Sequence, residues 1–147
     1  MSDLTENQQE TMNFLENKQE LNLNYTSSEI SHLKDVKGVM NLIDYLFYLS
    51  LIIITLIITY YKKNKKQLIK LFRYGGITTL ISMGIILFLS LFAFNTTFTI
   101  FHQIFFPQGN WLFPTNSLLI QTFPIEFFIG ISVRMFGLGI LLGMVLV

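Results

Sequence analysis

A chain of 147 residues leaves room for one domain at most, and 52% apolar residues, with 15 Phe and 6 Tyr, exceed what a soluble domain of that size can bury. The excess calls for lipid. A net charge of +1 gives no reason to expect a nucleic-acid partner, and the absence of cysteine excludes disulfides, thiolate metal sites and a Cys nucleophile.

In chain order, residues 1–39 are polar and rich in Asn, Gln and Glu, and three apolar blocks follow at about 40–61, 75–98 and 123–147. Each block is long enough, at about 1.5 Å per helical residue, to cross a hydrocarbon layer near 30 Å thick. The expected fold is therefore an all-α integral membrane helix bundle of three spans, residues 40–147, with residues 1–39 as a small extracellular cap. Within the cap, Thr5 to Lys18 sets Met12 and Leu15 on one side of a short polar helix. Leu21, Leu23 and Tyr25 alternate with Asn22 and Asn24 at the two-residue period of a strand, which makes the expected cap partly β. Ser27 or Ser28 can cap a helix that begins near Glu29 and runs through His32 and Asp35 into the first span.

The segment after the first span, residues 62–73, holds Lys62, Lys63, Lys65, Lys66, Lys70 and Arg73 and no acid. By the positive-inside rule it is cytoplasmic, which turns the cap segment and the loop 99–122 outward in a multi-pass membrane protein. Tyr60 and Tyr61 then lie at the inner interface and Trp111 at the outer one, as amphipathic rings prefer. Membrane lipids are the partners this composition implies.

The outer loop carries the most information. Helix can continue past Phe98 to Phe106, where Pro107 stops it, so His102 stands a turn or so above the hydrocarbon with Phe105 and Phe106 beside it. Pro107, Gly109, Pro114 and Pro124 break the following chain into a short aromatic re-entry. Both histidines of the chain, His32 and His102, are thus expected at one membrane interface. An interfacial imidazole serves equally as a packed, hydrogen-bonded side chain or as an acid or base, and both uses stay open here. Asp35 is a solvated helix residue or a partner of His32, three positions away on the same face. No ligand spacing suggests a metal, and no cofactor is expected. Arg134, near the middle of the last span, needs Asp44, Glu126 or a lipid phosphate as counter-charge, or snorkels to an interface.

The pattern E-x-x-H-x-x-D-V-K from Glu29 to Lys37, combined with F-H-x-x-F-F from Phe101 to Phe106, resembles the lipoprotein intramolecular transacylase family over residues 25 to 128 or so. The resemblance implies a four-helix membrane enzyme of Gram-positive bacteria with an extracellular cap. His32 and His102 match its two catalytic histidines, and Phe105, Phe106 and Trp111 would line their site; Glu29, Asp35 and, outside the matched stretch, Arg134 are expected as further supporting residues of this chain. It further implies a diacylated lipoprotein substrate, whose sn-2 acyl chain moves to the α-amino group of its own terminal cysteine to give the lyso form. Two departures accompany it. The family begins with a further helix and more cap, so this chain is expected to lack the first transmembrane helix, and Pro114 to Ser117 lacks an acid expected in that stretch. The competing reading is a non-enzymatic small membrane protein, a truncated remnant or an accessory subunit.

Overall fold

The computed structural model describes residues 5–147; residues 1–4, part of the expected cap segment, lie outside the described residues. The described chain is 78% helix with no strand, in the order α1 (Glu6–Leu15), α2 (Ser27–Tyr61), α3 (Lys65–Phe92), α4 (Phe94–Phe105), α5 (Leu118–Thr122) and α6 (Ile125–Leu146). Of these, α2, α3 and α6 are long and apolar enough to cross a membrane. The chain is a multi-pass membrane protein. It divides into two units, one made of the chain up to Leu46 with Thr99–Ile125, the other of Phe47–Phe98 with Glu126–Val147.

In the first unit, α1 is fixed at both ends by its own sequence. Thr5 and Gln8 form a reciprocal capping box at the start. At the end, Asn17 adopts φ 61°, the Asn17 N–H donates to Phe14 O and the Lys18 N–H to Asn13 O, which is the Schellman closure with Asn in the left-handed position. The helix buries Thr11, Phe14 and Leu15, and the Lys37 ammonium sits 4.2 Å above the Phe14 ring.

The expected strand at Leu21 to Tyr25 does not form. Its two-residue alternation is real in burial, since Tyr25 is buried while Asn22 and Asn24 are exposed. Among the described residues, however, no second strand offers a ladder, and the Asn22 N–H donates to Glu10 Oε1 instead. The segment is an extended strap held by side chains. At its end the buried Tyr25 hydroxyl meets Thr11 Oγ1 at 2.9 Å and donates to Thr122 Oγ1 at 3.4 Å, tying α1 and the strap to α5. The helix that follows is capped by Thr26 rather than by Ser27 or Ser28: Thr26 N–H donates to Glu29 Oε2 (2.7 Å) and Glu29 N–H to Thr26 Oγ1 (3.3 Å).

With 35 residues, α2 is about 50 Å long, so its turns before the apolar run at Met40 project beyond a hydrocarbon core of about 30 Å. Glu29, His32 and Asp35 lie on that projecting part. In the second unit, only Lys62, Lys63 and Asn64 separate α2 from α3, and Asn64 caps α3 by accepting from the Gln67 N–H. Most of the lysine cluster is therefore the first turns of a helix and not a loop. The hydroxyls of Ser50, Thr55, Thr59 and Thr78 donate to carbonyls three or four residues back, which satisfies them without water.

The α3–α6 pair packs through glycine. A Cβ at Gly76 would stand 2.9 Å from Gly143 O, and one at Gly143 would stand 3.2 Å from Gly76 O. Gly139 and Gly143, a small-xxx-small pair on α6, let the backbones approach in the way helices associate within lipid. Where the sequence predicts unbroken helix up to Phe106, Ala93 leaves helical geometry (φ −138°, ψ 39°) and separates α3 from α4. The Thr97 hydroxyl donates to Ala93 O at 3.1 Å, a local bond of the kind with which Thr competes against the helical ladder.

Candidate active site

Two elements of the first unit carry imidazoles. His32 lies on the second turn of α2 and His102 on the last turn of α4, and their ring centroids are 5.9 Å apart with planes 26° from parallel. Both are buried, with 6% and 8% of their surface exposed. Phe106 contacts both rings, edge-on to His32 at 4.8 Å and tilted on His102 at 5.4 Å. Phe113 packs on His32 at 5.6 Å, and Trp111 on His102 at 4.9 Å. The imidazole pair thus has aromatic walls, which exclude water and favour the neutral form of His32.

The loop that supplies Trp111 and Phe113 is fastened at two points. At one, Pro107 opens a turn closed by Gly109 N–H donating to Phe106 O, and Gly109 takes φ 76°, a left-handed conformation natural to glycine. Gln108 Nε2 within the turn and Asn110 Nδ2 just after it donate to Asp35 Oδ2 at 2.7 and 2.6 Å. At the other point, Leu119 N–H at the start of α5 donates to Glu29 Oε1 at 2.9 Å.

Glu29 is 1% exposed. Burial raises its pKa, but hydrogen bonds from Leu119 N–H, Thr26 N–H, the Thr26 hydroxyl and the Ser117 side chain outweigh that and hold it below the ordinary 4.5. It is an ionised clamp between α2 and α5. The pKa of His32 is pushed below 6.5, first by burial and next by the facing His102, while Asn110 and Asp35 pull the other way. Two imidazoles this close and this buried do not both carry charge, and a neutral His32 ring offers one nitrogen as donor and the other as acceptor.

A family model described as the lipoprotein intramolecular transacylase matches residues 1–128 of the 147. The chain belongs to that family. A search of curated proteins gives no match, and neither does a search of solved structures. The transacylase match spans both histidines, the fastened loop and the first turn of α6. A lipoprotein substrate is what the family's name implies.

In this member of the family, Glu29, His32, Asp35, His102, Phe106 and Trp111 come together in one unit. Phe105, read from sequence as a neighbour of Phe106 on the same face, turns outward: it is 42% exposed and packs on Phe101. Phe113, Asn110, Gln108 and Ser117 belong to the site and were not singled out from sequence, although the turn signature P-Q-G-N marked where polar side chains would point back. Arg134 is exposed on α6 in the other unit and forms no ion pair with Glu126 there. Among the described residues, no three of His, Asp and Glu gather as a metal site needs.

Proposed function

We propose that this chain moves the sn-2 acyl group of a diacylglyceryl lipoprotein to the α-amino group of the same molecule's amino-terminal cysteine, giving the lyso form. The observation that carries this reading is the pair of buried imidazoles facing each other between aromatic walls. Ester aminolysis needs a base for the amine proton and a donor for the oxyanion. His32, held neutral by its surroundings, serves as base; His102 donates an N–H to the tetrahedral oxygen. The new C–N bond forms, the ester C–O bond breaks, and the departing glyceryl oxygen takes the proton that His32 received. The products are an amide and a free hydroxyl, so neither water nor cofactor enters the balance.

Phe106, Phe113 and Trp111 favour this path over hydrolysis by keeping water from the ester. Binding both reacting groups in one substrate molecule lowers the barrier by proximity. Phe105, with Phe101, forms an apolar rim on the outer face of α4. The site faces outward, as does the cap, with Lys62 to Arg73 inside; Glu29 and Asp35 support the site, and Arg134 takes a lipid phosphate as counter-charge.

The test expresses the chain in a host lacking its own enzyme and reads acyl position in the lipopeptide by tandem mass spectrometry, because intact and lyso forms share a mass. His32→Ala and His102→Ala are each expected to reduce conversion at least about a hundredfold, the contribution of a general acid or base. Unchanged conversion in the double variant would reject histidine chemistry.

A further inference from the structure

We infer that Asn110 is a positioning residue for His32: its side-chain oxygen, aimed by Asp35, accepts from His32 Nδ1 and leaves Nε2 free to take the substrate's proton. The inference rests on the acyl-transfer reading of the histidine pair and adds to it a residue that selects the tautomer.

Three observations lead there. First, Asn110 Nδ2 donates to Asp35 Oδ2 at 2.6 Å and to Ser31 Oγ at 3.4 Å, so both of its contacts on that side are made by the amide nitrogen. The orientation of the carboxamide is therefore fixed, with Oδ1 turned away from Asp35. Second, Asn110 Oδ1 and His32 Nδ1 are both buried, and each is without a hydrogen-bond partner. A buried polar atom left unpaired costs about 1–3 kcal/mol, and one bond between these two would satisfy both. Third, the Asn110 side chain is near enough to favour the protonated form of His32, against burial and the facing His102.

The charged and titratable groups that face His32 are His102 on α4 and Asp35 on its own helix. Asp35 is not the partner of His32 Nδ1, which has none, and its Oδ2 instead accepts from Gln108 and Asn110. The order is thus carboxylate, carboxamide, imidazole. Catalytic hydrogen bonds are often long in an enzyme without substrate and tighten in the complex, and this one has an acceptor already aimed. The arrangement has the logic of a Cys-His-Asn site, in which the amide sets the imidazole's tautomer without changing its own charge.

The chain has only two histidines, so a ¹⁵N-histidine spectrum of the full chain in lipid nanodiscs holds two imidazoles, and a His102→Gln sample assigns them. His32 in the unaltered chain is expected as the Nδ1–H tautomer, and in Asn110→Leu as the Nε2–H tautomer with a lower titration midpoint. Gln108→Leu, which removes the other bond to Asp35, should leave the tautomer in place. With a lipopeptide substrate, Asn110→Leu is expected to lower kcat about tenfold or more, part of what a general base supplies, with KM nearly unchanged. An Nε2–H tautomer in the unaltered chain overturns the inference without any variant, as does an equal change in Gln108→Leu. The tautomer is read without substrate, so it decides on Asn110 whether or not acyl transfer is observed.

Discussion

Leu119 donates its backbone N–H to Glu29 Oε1 at 2.9 Å, across 90 residues of sequence, and so joins the first turn of α5 to the first turn of α2. The same carboxylate caps α2 through Thr26, which makes Glu29 the common fastening of both helix ends. Glu29→Ala would leave the buried Leu119 N–H unsatisfied, at about 1–3 kcal/mol, and remove the acceptor of the part-buried Thr26 donors. Thermal unfolding in detergent is expected several degrees lower, with activity reduced because the chain bearing Trp111 and Phe113 loses its anchor. An unaltered melting temperature would mean the clamp contributes nothing.

Acid should affect the protein in two successive windows. His32 has its pKa lowered from 6.5, so the neutral base persists below that pH and kcat/KM falls only as pH drops through the lowered value. The unfolded chain binds that proton more tightly than the folded one, so stability declines on acidification from pH 6.5. Glu29, lowered from 4.5, contributes stability that is complete above 4.5 and is lost as pH falls through its folded value. A rate profile and a melting series against pH check both. An acidic limb centred above 6.5 would contradict the burial assigned to His32.

The glycine contact between α3 and α6 tolerates no side chain. Gly143→Leu would meet Leu80 and the Gly76 carbonyl, where even a Cβ comes within 3.0 to 3.2 Å, and overpacking of this kind costs about 1–3 kcal/mol. Gly130→Ala, with open space at its Cβ, is the control expected to change nothing measurable in detergent unfolding. Equal behaviour of the two variants would argue against direct α3–α6 packing.

The three spans were legible because each is a long apolar run without an internal proline, and the short polar helix of the cap was legible from Thr5 onward. The strap at Leu21 to Tyr25 was misread because alternation reports which side chains are buried, not whether a partner strand exists. The break at Ala93 was hidden for a related reason. Nothing in an apolar run of Ala and Phe marks it, and only the neighbouring Thr97 hydroxyl hints that backbone bonds can be replaced. Both histidines were found by residue type, whereas Asn110 and Ser117 were not, since their roles depend on partners 75 and 88 positions away in Asp35 and Glu29.

Orientation is open to chemical labelling. A cysteine at Lys63, between α2 and α3, should resist a membrane-impermeant thiol reagent in whole cells, and one at Glu20 in the cap should react. Both positions are exposed, and the chain has no cysteine of its own to interfere. The opposite pattern would turn the histidine pair to the cytoplasm.

Two imidazoles that move an acyl chain within one substrate molecule leave a signature that a crossover measurement reads directly. The purified chain in proteoliposomes would receive an equal mixture of two diacylated lipopeptides with different peptide sequences, one bearing a deuterated sn-2 acyl chain. Tandem mass spectrometry then reads which acyl chain is amide-linked to which peptide. The expected result is deuterium on the amide of its own peptide only, with conversion lost in the His32→Ala, His102→Ala double variant. Acyl chains exchanged between the two peptides, or full conversion by the double variant, would contradict it.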